Sequence, residues 1–304
     1  MDRRRALAAL LILATGSVAP PPIREAQWIV PDKRLETLST LPAACIAPPP
    51  GGDNRRAFAI GAVAFRTPFV LGGQAARAGL SCNACHRNGT TNAAFTFPGV
   101  SGDPGTADVT SSIFSSHRGD GTFNPKRIPD LVHDAPRVSR DPARPDLESF
   151  IHGLVVEEFD GLEPPRAVLD GLVVYTRALG AVGCRPVPAQ PISVARAFAE
   201  VNEALALAGG AARRDDVPTA RFLISAARAD LGRIYERLPL GVFGRERAQI
   251  EQLDDRLWHL VTNVVAASEL AAAMGNAKAL GKRIGARERE TLYNPARLAE
   301  ALAR

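Results

Sequence analysis

Ser81-Cys82-Asn83-Ala84-Cys85-His86 is the stretch on which the interpretation of this chain depends. Two cysteines at this spacing lie on one side of a single helical turn, so both thiols can reach the vinyl groups of one porphyrin. The histidine that follows can present its imidazole to the porphyrin iron, a role that histidine has in many haem proteins. The spacing therefore predicts one covalent haem c on Cys82 and Cys85, with His86 as the proximal iron ligand.

Two other uses of paired cysteines compete with haem attachment. A thioredoxin-like Cys-x-x-Cys would lie near a βαβ pattern, which the sequence lacks. A structural zinc site would need a second ligand pair at similar spacing, whereas Cys45 and Cys184 lie singly and far from each other. A chance match is improbable in a chain with only four cysteines and five histidines. The pattern thus favours haem c.

The first 19 residues have the three parts of a secretory signal peptide. Arg3-Arg4-Arg5 is positively charged, residues 6–15 are apolar and residues 16–19 are mostly small. An uncleaved amphipathic anchor is the alternative, but the apolar run is shorter than the roughly 20 residues that cross a bilayer. We expect no transmembrane span in the mature chain. Covalent haem c is assembled outside the bacterial cytoplasm, so both signals indicate a periplasmic or otherwise exported protein.

Length and composition indicate a globular protein of about two domains. The chain has 304 residues, of which 46% are hydrophobic and only 6% aromatic. Its core must therefore depend on Ala, Leu and Val, which favours helices. The net charge of +5 comes without Lys/Arg clusters, so nothing indicates nucleic-acid binding. Docking to an acidic redox partner protein is compatible with this charge.

Proline and glycine divide the chain into segments. Residues 20–53 are rich in both and predict a mostly extended leader. Residues 54–185 surround the haem motif and contain a long loop, 87–145, in which Phe95, Phe97 and Phe114 either line the haem edge or belong to the core. In this loop Asp103, Asp108 and Asp120 could offer oxygen ligands to calcium, although no EF-hand spacing is present.

Residues 190–304 carry amphipathic stripes that predict a helical bundle or hairpin. The predicted helices are 194–208, ended by Gly209-Gly210, then 218–238, then about 244–274, and a short one that starts at Asn294-Pro295. We find no catalytic constellation among these residues. An interaction or packing module is the function that we expect.

A series of residues precedes the haem motif in a recognisable order: Ile60-Gly61, Ala64-Phe65, Pro68, Leu71 and Gly79. This order resembles the "LG..LF.DP.LS..G..SC..CH" pattern of the bacterial di-haem cytochrome c peroxidase superfamily. Residues 121–125 and 128–131 resemble its "G.F..P.L" stretch. Ala135-Pro136 is similar to the start of its "APY.HDG" element, which residues 137–141 do not continue. The helix predicted at 165–179 resembles the helix that closes a cytochrome c fold.

The resemblance covers about residues 57–180 and implies an all-α fold, a cytochrome c-like haem domain followed by the C-terminal helices. The family has two haem motifs, whereas this chain has one, so a complete two-haem relay within the chain is excluded. The leading expectation is electron transfer by a mono-haem cytochrome, with no catalytic residue. The alternatives are a peroxidase-like or oxidase-like enzyme with an open distal face, and a haem-based sensor or binding protein.

The sixth iron ligand separates these functions. The only methionines are Met1 and Met274, so the methionine that ligates many small cytochromes has no candidate. His259 falls on the polar side of its predicted helix. In the helix predicted at 146–159, His152 shares a face with the apolar Val155, Val156 and Phe159.

The resemblance places the distal ligand in this segment. We therefore predict His152 as that ligand, ahead of His117 and His133; a core histidine with a structural role is the alternative.

The two remaining cysteines predict a disulfide. In an oxidising compartment Cys45, in the leader, can pair with Cys184, which follows the closing helix. Such a bond would join the beginning and the end of the haem domain. Two unpaired thiols are the alternative.

Overall fold

The protein is mostly helical, and its strands are only two residues long. The structure is a computed structural model that describes residues 23–180, 188–263 and 265–303. The signal peptide predicted for residues 1–19 therefore lies outside the described residues. The helices of the first part are α1 (Arg34–Ser39), α2 (Gly52–Phe65), α3 (Gly73–Arg77), α4 (Cys82–Cys85), α5 (Asp146–Gly153) and α6 (Arg166–Ala178).

The C-terminal part contains five further helices. They are α7 (Val194–Ala212), α8 (Val217–Glu236), α9 (Leu240–Thr262), α10 (Ala267–Gly285) and α11 (Pro295–Leu302). The strands form antiparallel pairs: β1 (Thr40–Leu41) with β6 (Gln190–Pro191), β2 (His86–Arg87) with β3 (Thr90–Thr91), and β4 (Thr106–Ala107) with β5 (Lys126–Arg127). Among the described residues, no helix is both long enough and apolar enough to cross a membrane.

Helices α2 and α6 cross each other and form the frame of the haem-motif part. Helix α6 was predicted at 165–179, and α2 ends shortly before Pro68. Phe65 of α2 lies against Tyr175 of α6, with ring centroids 5.0 Å apart. The loop 87–145 contains only β strands of two residues, as its Gly/Pro-rich composition indicates.

The leader differs from the prediction of a mostly extended segment. Residues 24–28 and 31–33 form 3₁₀ turns, and α1 follows them. Trp28 and Leu38 are buried, and Trp28 lies 6.1 Å from the ring of Phe95. The prediction was wrong here because such short helices carry no periodic signal, and contact with distant residues stabilises them.

Two helix boundaries in the C-terminal part also differ from the prediction. Helix α7 continues through Gly209-Gly210 to Ala212, since a glycine within a helix costs only about 1 kcal/mol and Gly209 is buried by packing. The single helix predicted at about 244–274 is instead two helices, α9 and α10. Asn263 leaves the helical conformation, and its side-chain amide donates to the carbonyl of His259, near the end of α9.

The two parts of the chain share one hydrophobic core. Helix α2 packs on α7 and α8, and α1 packs on α11. The buried apolar residues form one continuous cluster from the leader to α11. Arg237, which follows α8, donates to the carbonyl of Leu38 in α1 at 2.8 Å. The C-terminal helices are therefore a bundle that packs along the haem-motif part.

Candidate haem-attachment site

Helix α4 places the two cysteines of the motif on one helical turn, as predicted. Cys82 begins the turn and Cys85 ends it, and both thiols are free. The N–H of His86 donates to the carbonyl of Cys82, and the chain then leaves the helix into β2. The turn thus brings the two cysteines onto one side of the helix, and His86 follows directly after them.

The two sides of α4 face different surroundings. Ser81 and Ala84 are buried at the back of the turn. Cys82, Cys85 and His86 lie deep in the protein, where burial raises the pKa of each thiol to about 12 and lowers that of the imidazole to about 4. Each nevertheless keeps part of its surface accessible. Both thiols are therefore protonated and the imidazole is neutral at pH 7.

The ring of His86 is oriented by a backbone carbonyl. Its Nδ1 lies 3.0 Å from the carbonyl oxygen of Pro129. A carbonyl only accepts, so Nδ1 carries the proton and Nε2 keeps its lone pair for a metal. The segment after β5 that supplies Pro129 is itself held, since the hydroxyl of Thr91 donates to the carbonyl of Ile128 at 2.9 Å.

Asn92 holds the end of α4 and was not predicted as a site residue. Its side-chain amide donates to the carbonyl of Ala84 at 2.9 Å, and its backbone N–H donates to the carbonyl of Cys85 at 2.8 Å. Asn92 is buried, so these bonds are shielded from water. It satisfies two of the carbonyls that the short helix leaves without helical partners.

These residues fit haem c. The chain offers two free thiols on one turn and an adjacent neutral imidazole with Nε2 unprotonated, and all three side chains are partly accessible. Cys82 and Cys85 would hold the porphyrin covalently, and His86 would bind its iron. Among the described residues, no group of three or more His, Cys, Asp or Glu side chains could hold a bare metal ion.

His152, predicted as the distal ligand, is hydrogen-bonded to a carboxylate. It lies on α5, and its Nε2 is 2.7 Å from Oε2 of Glu163. Its side chain is 37% exposed, although Val155 on the same face is buried. The nearby carboxylates of Glu157 and Glu158 accept from Arg118 instead. The ring nitrogen that a helical histidine usually offers to iron is thus engaged.

The segment after α5 is a π-helical turn, Leu154–Glu158, that a single arginine holds. Arg118 donates from Nη1 to Glu158 at 2.6 Å and from Nη2 to Glu157 at 2.5 Å. Burial raises the pKa of Glu158, and the charge of Arg118 opposes this effect. The helix predicted over 146–159 is thus present, with its last turn widened.

The other sulfur and imidazole candidates lie away from this arrangement. Nδ1 of His133 is 3.1 Å from Asp130, and Nε2 of His117 is 4.0 Å from Asp160; both rings are mostly exposed. His259 is exposed on α9, as predicted. Met274 packs on the core from α10, in the C-terminal bundle.

The remaining sequence candidates have structural surroundings. Phe95 and Phe114 are fully buried, and Phe97 packs on Phe114 at 5.1 Å, so the loop phenylalanines belong to the core. Both carboxylate oxygens of Asp108 accept local hydrogen bonds, from Thr110 and from the N–H of Asn124. Of the other two candidates for calcium, Asp120 accepts from the N–H of Thr122, and Asp103 lies in the turn before β4.

Cys184 lies outside the described residues, so the Cys45–Cys184 disulfide stays a prediction. The backbone around Cys45 pairs with the end of α6: the N–H of Gly180 donates to the carbonyl of Cys45 at 3.0 Å. Ala47 donates to the carbonyl of Ala178 at 3.1 Å in the same pairing. Cys45 is thus hydrogen-bonded to Gly180, which precedes Cys184 by four positions in the sequence.

Comparison with known proteins found no match for this chain, whether among family models, curated proteins or solved structures.

Proposed function

We propose that this chain is an exported c-type cytochrome that carries one covalent haem and passes electrons to a redox partner protein. The observation that carries the proposal is the pairing of two free thiols on one helical turn with an adjacent imidazole whose Nδ1 is bound by Pro129. The resemblance of residues 57–180 to peroxidase-superfamily haem domains supports it. The signal-like first 19 residues support export.

In this proposal each residue of the site has a separate task. Bound haem c supplies a one-electron iron couple. Cys82 and Cys85 would hold the porphyrin through thioethers, one to each vinyl group. His86 would bind the iron through Nε2. The carbonyl of Pro129 fixes the tautomer and the plane of the imidazole, and it increases the electron density on Nε2.

One observation favours the enzyme as a second candidate. A six-coordinate electron carrier needs a distal ligand, yet Nε2 of His152 is engaged by Glu163 at 2.7 Å. The exposed His117 and His133 each lie next to an aspartate. If no side chain binds the distal position, the iron is open to small molecules, and peroxidase-like or oxidase-like chemistry follows.

The test of haem attachment uses the full chain, produced in a bacterial host that is competent in cytochrome c maturation. We expect haem staining of the polypeptide after denaturing electrophoresis. The Cys82→Ala/Cys85→Ala variant should lose this stain. Cys45→Ala is the matched control, since it removes a cysteine outside the motif and should keep the stain. Wild-type polypeptide that does not stain, at normal yield in that host, would overturn the proposal.

A further inference from the structure

A cavity of about 200 Å³ lies behind the haem-attachment turn, between α4 and the C-terminal bundle. Asn83 and Ala84 line it from α4, and Asp230 and Arg233 line it from α8. Cys82 and Cys85 are not among its lining residues. The cavity therefore borders α4 through Asn83 and Ala84 rather than through the two thiols.

The wall of this cavity is rich in charge, with an excess of cations. Its charged residues are five arginines and four carboxylates: Arg66, Arg87, Arg196, Arg233 and Arg237, with Glu25, Glu200, Asp230 and Glu236. The hydrogen bonds of two of these guanidinium groups go to backbone carbonyls. Arg87 donates to Thr37 and Thr40, and Arg237, which is only 5% exposed, donates to Leu38 and Leu292. Buried cations are normally balanced by an anion.

Three buried polar atoms of the cavity residues have no hydrogen-bond partner in the protein. They are Nε1 of Trp28, Nε of Arg66 and Oδ2 of Asp230, whose side chain is only 3% exposed. The first two are donors and the third is an acceptor. A buried polar group without a hydrogen-bond partner destabilises the protein, so a ligand that meets all three would be favoured.

The distance between two of these atoms defines the chemistry of the ligand. Nε of Arg66 and Oδ2 of Asp230 are 3.7 Å apart, which is too far for a hydrogen bond. One oxygen placed about 2.8 Å from each atom would bridge them. That oxygen must accept from Arg66 and donate to Asp230, so it must carry a proton. Burial raises the pKa of Asp230, while the guanidinium groups of Arg233 and Arg66 favour its ionised form.

We propose that this cavity binds a small oxyanion that keeps one proton, of the hydrogenphosphate or bicarbonate class. The unprotonated oxygens accept from the arginines and from Nε1 of Trp28, and the protonated oxygen bridges Arg66 and Asp230. The volume suits an ion of this size, since drug-sized ligands occupy about 300–1,000 Å³. The proposal does not depend on haem or on electron transfer.

Isothermal titration calorimetry of the purified full chain at pH 7 tests the proposal. The probes are inorganic phosphate, bicarbonate and sulfate. Sulfate has the shape of phosphate but carries no proton at this pH, so its fourth oxygen would face Oδ2 of Asp230. We expect at least one of the protonated ions to bind about tenfold more tightly than sulfate, which corresponds to about 1.4 kcal/mol.

Two variants and a control assign the binding to this cavity. Trp28→Phe keeps an aromatic ring in the core and removes one donor, so affinity for the bound ion should fall about fivefold to tenfold. Asp230→Asn replaces the carboxylate by an amide whose N–H can donate to an unprotonated oxygen. This variant should therefore reduce the preference for the protonated ion over sulfate. Arg77→Gln removes an exposed arginine on α3 and should change neither value. If Asp230→Asn does not fold, the affinity of Trp28→Phe alone decides whether the ion binds in this cavity.

Two results would overturn the proposal. Equal binding of phosphate and sulfate that neither cavity variant changes indicates an adventitious ion only. The absence of binding by all three ions indicates that water fills the cavity and meets the three unpartnered atoms.

Discussion

Gly61 of α2 and Gly171 of α6 touch through their backbones where the two helices cross. A Cβ atom built on Gly171 would lie 2.7 Å from the amide nitrogen of Gly61 and 2.8 Å from the carbonyl oxygen of Ala57. Both distances are shorter than real Cβ contacts. Two glycines at this crossing therefore allow the close helix approach on which the haem-motif part is built.

Replacement of Gly171 by Ala should lower the free energy of unfolding by about 1–3 kcal/mol, because the added methyl group overpacks a backbone contact. Chemical denaturation measures this change. Gly232→Ala is the matched control: Gly232 is exposed on α8 and its new Cβ would meet nothing within 4 Å. That variant should be more stable by up to about 1 kcal/mol. Equal effects of the two variants on the free energy of unfolding would show that α2 and α6 do not pack closely at Gly171.

Asn92→Ala should destabilise the protein by about 1–3 kcal/mol, since the carbonyl of Ala84 would lose its buried partner. Gln74→Ala is the control, because Gln74 is exposed on α3 and its side chain accepts only a surface hydrogen bond from Arg77. Its effect should stay within about 0.5 kcal/mol. Denaturant titration of both variants gives the comparison, and similar small effects would show that Asn92 does not hold α4.

If His152 binds the haem iron, the ferric wild type should have a low-spin visible spectrum. His152→Ala should then become high-spin and bind small ligands, while His117→Ala and His133→Ala keep the wild-type spectrum. The hydrogen bond of His152 to Glu163 must break for this ligation. A high-spin wild type would reject His152 and favour the enzyme, whose peroxide turnover could then be assayed directly.

The Cys45–Cys184 disulfide should appear as one cross-linked peptide in mass spectrometry of unreduced digests. Its removal by Cys45→Ala with Cys184→Ala should lower the free energy of unfolding by about 4–5 kcal/mol on the chain-entropy model. The pairing of the Cys45 backbone with Gly180 reduces the strain of such a bond. Recovery of both cysteines as alkylated thiols would exclude it.

Asp108 should make stability depend on pH in the acid range. Burial works against its ionisation, but hydrogen bonds from the N–H of Asn124 and from Thr110 outweigh burial and lower its pKa below 3.8. A lowered folded-state pKa gives stability that is present above pH 3.8 and is lost as the pH falls through the folded value.

Asp108→Asn should therefore cost about 1–2 kcal/mol at pH 7, and this cost should decrease as the pH falls through the folded-state pKa of Asp108. Unfolding curves from pH 7 down to the acid limit of the fold measure the change. A cost that stays constant over this range would refute the role of the Asp108 charge.

Local signals predicted the parts of the fold that depend on neighbouring residues. Helices α2, α6 and α8 follow from apolar stripes bounded by proline or glycine, and the start of α11 follows from Asn294, whose side chain accepts from Ala296. The turn that carries Cys82 and Cys85 follows from the motif itself. These features require no knowledge of the rest of the chain.

The parts that could not be predicted depend on distant contacts. Pro129 lies 43 residues from His86, and only the folded loop brings its carbonyl to the ring. Glu163 was not identified as the partner of His152, because it lies in the irregular segment 160–165, whose path no local pattern reveals. The leader helices likewise depend on Phe95 and on residues beyond 230, which no local pattern reveals.

The hydrogen bond between Arg237 and Leu38 joins residues 199 positions apart, and Arg24 donates to Glu236 across 212 positions. A ribosome that adds about 5–20 residues per second adds Arg237 roughly 10 to 40 s after Leu38. The leader therefore cannot complete its native contacts until α8 has been synthesised. Residues 82–86 are synthesised well before α8 and α11, so the Cys-x-x-Cys-His motif exists before the wall behind α4 has been made.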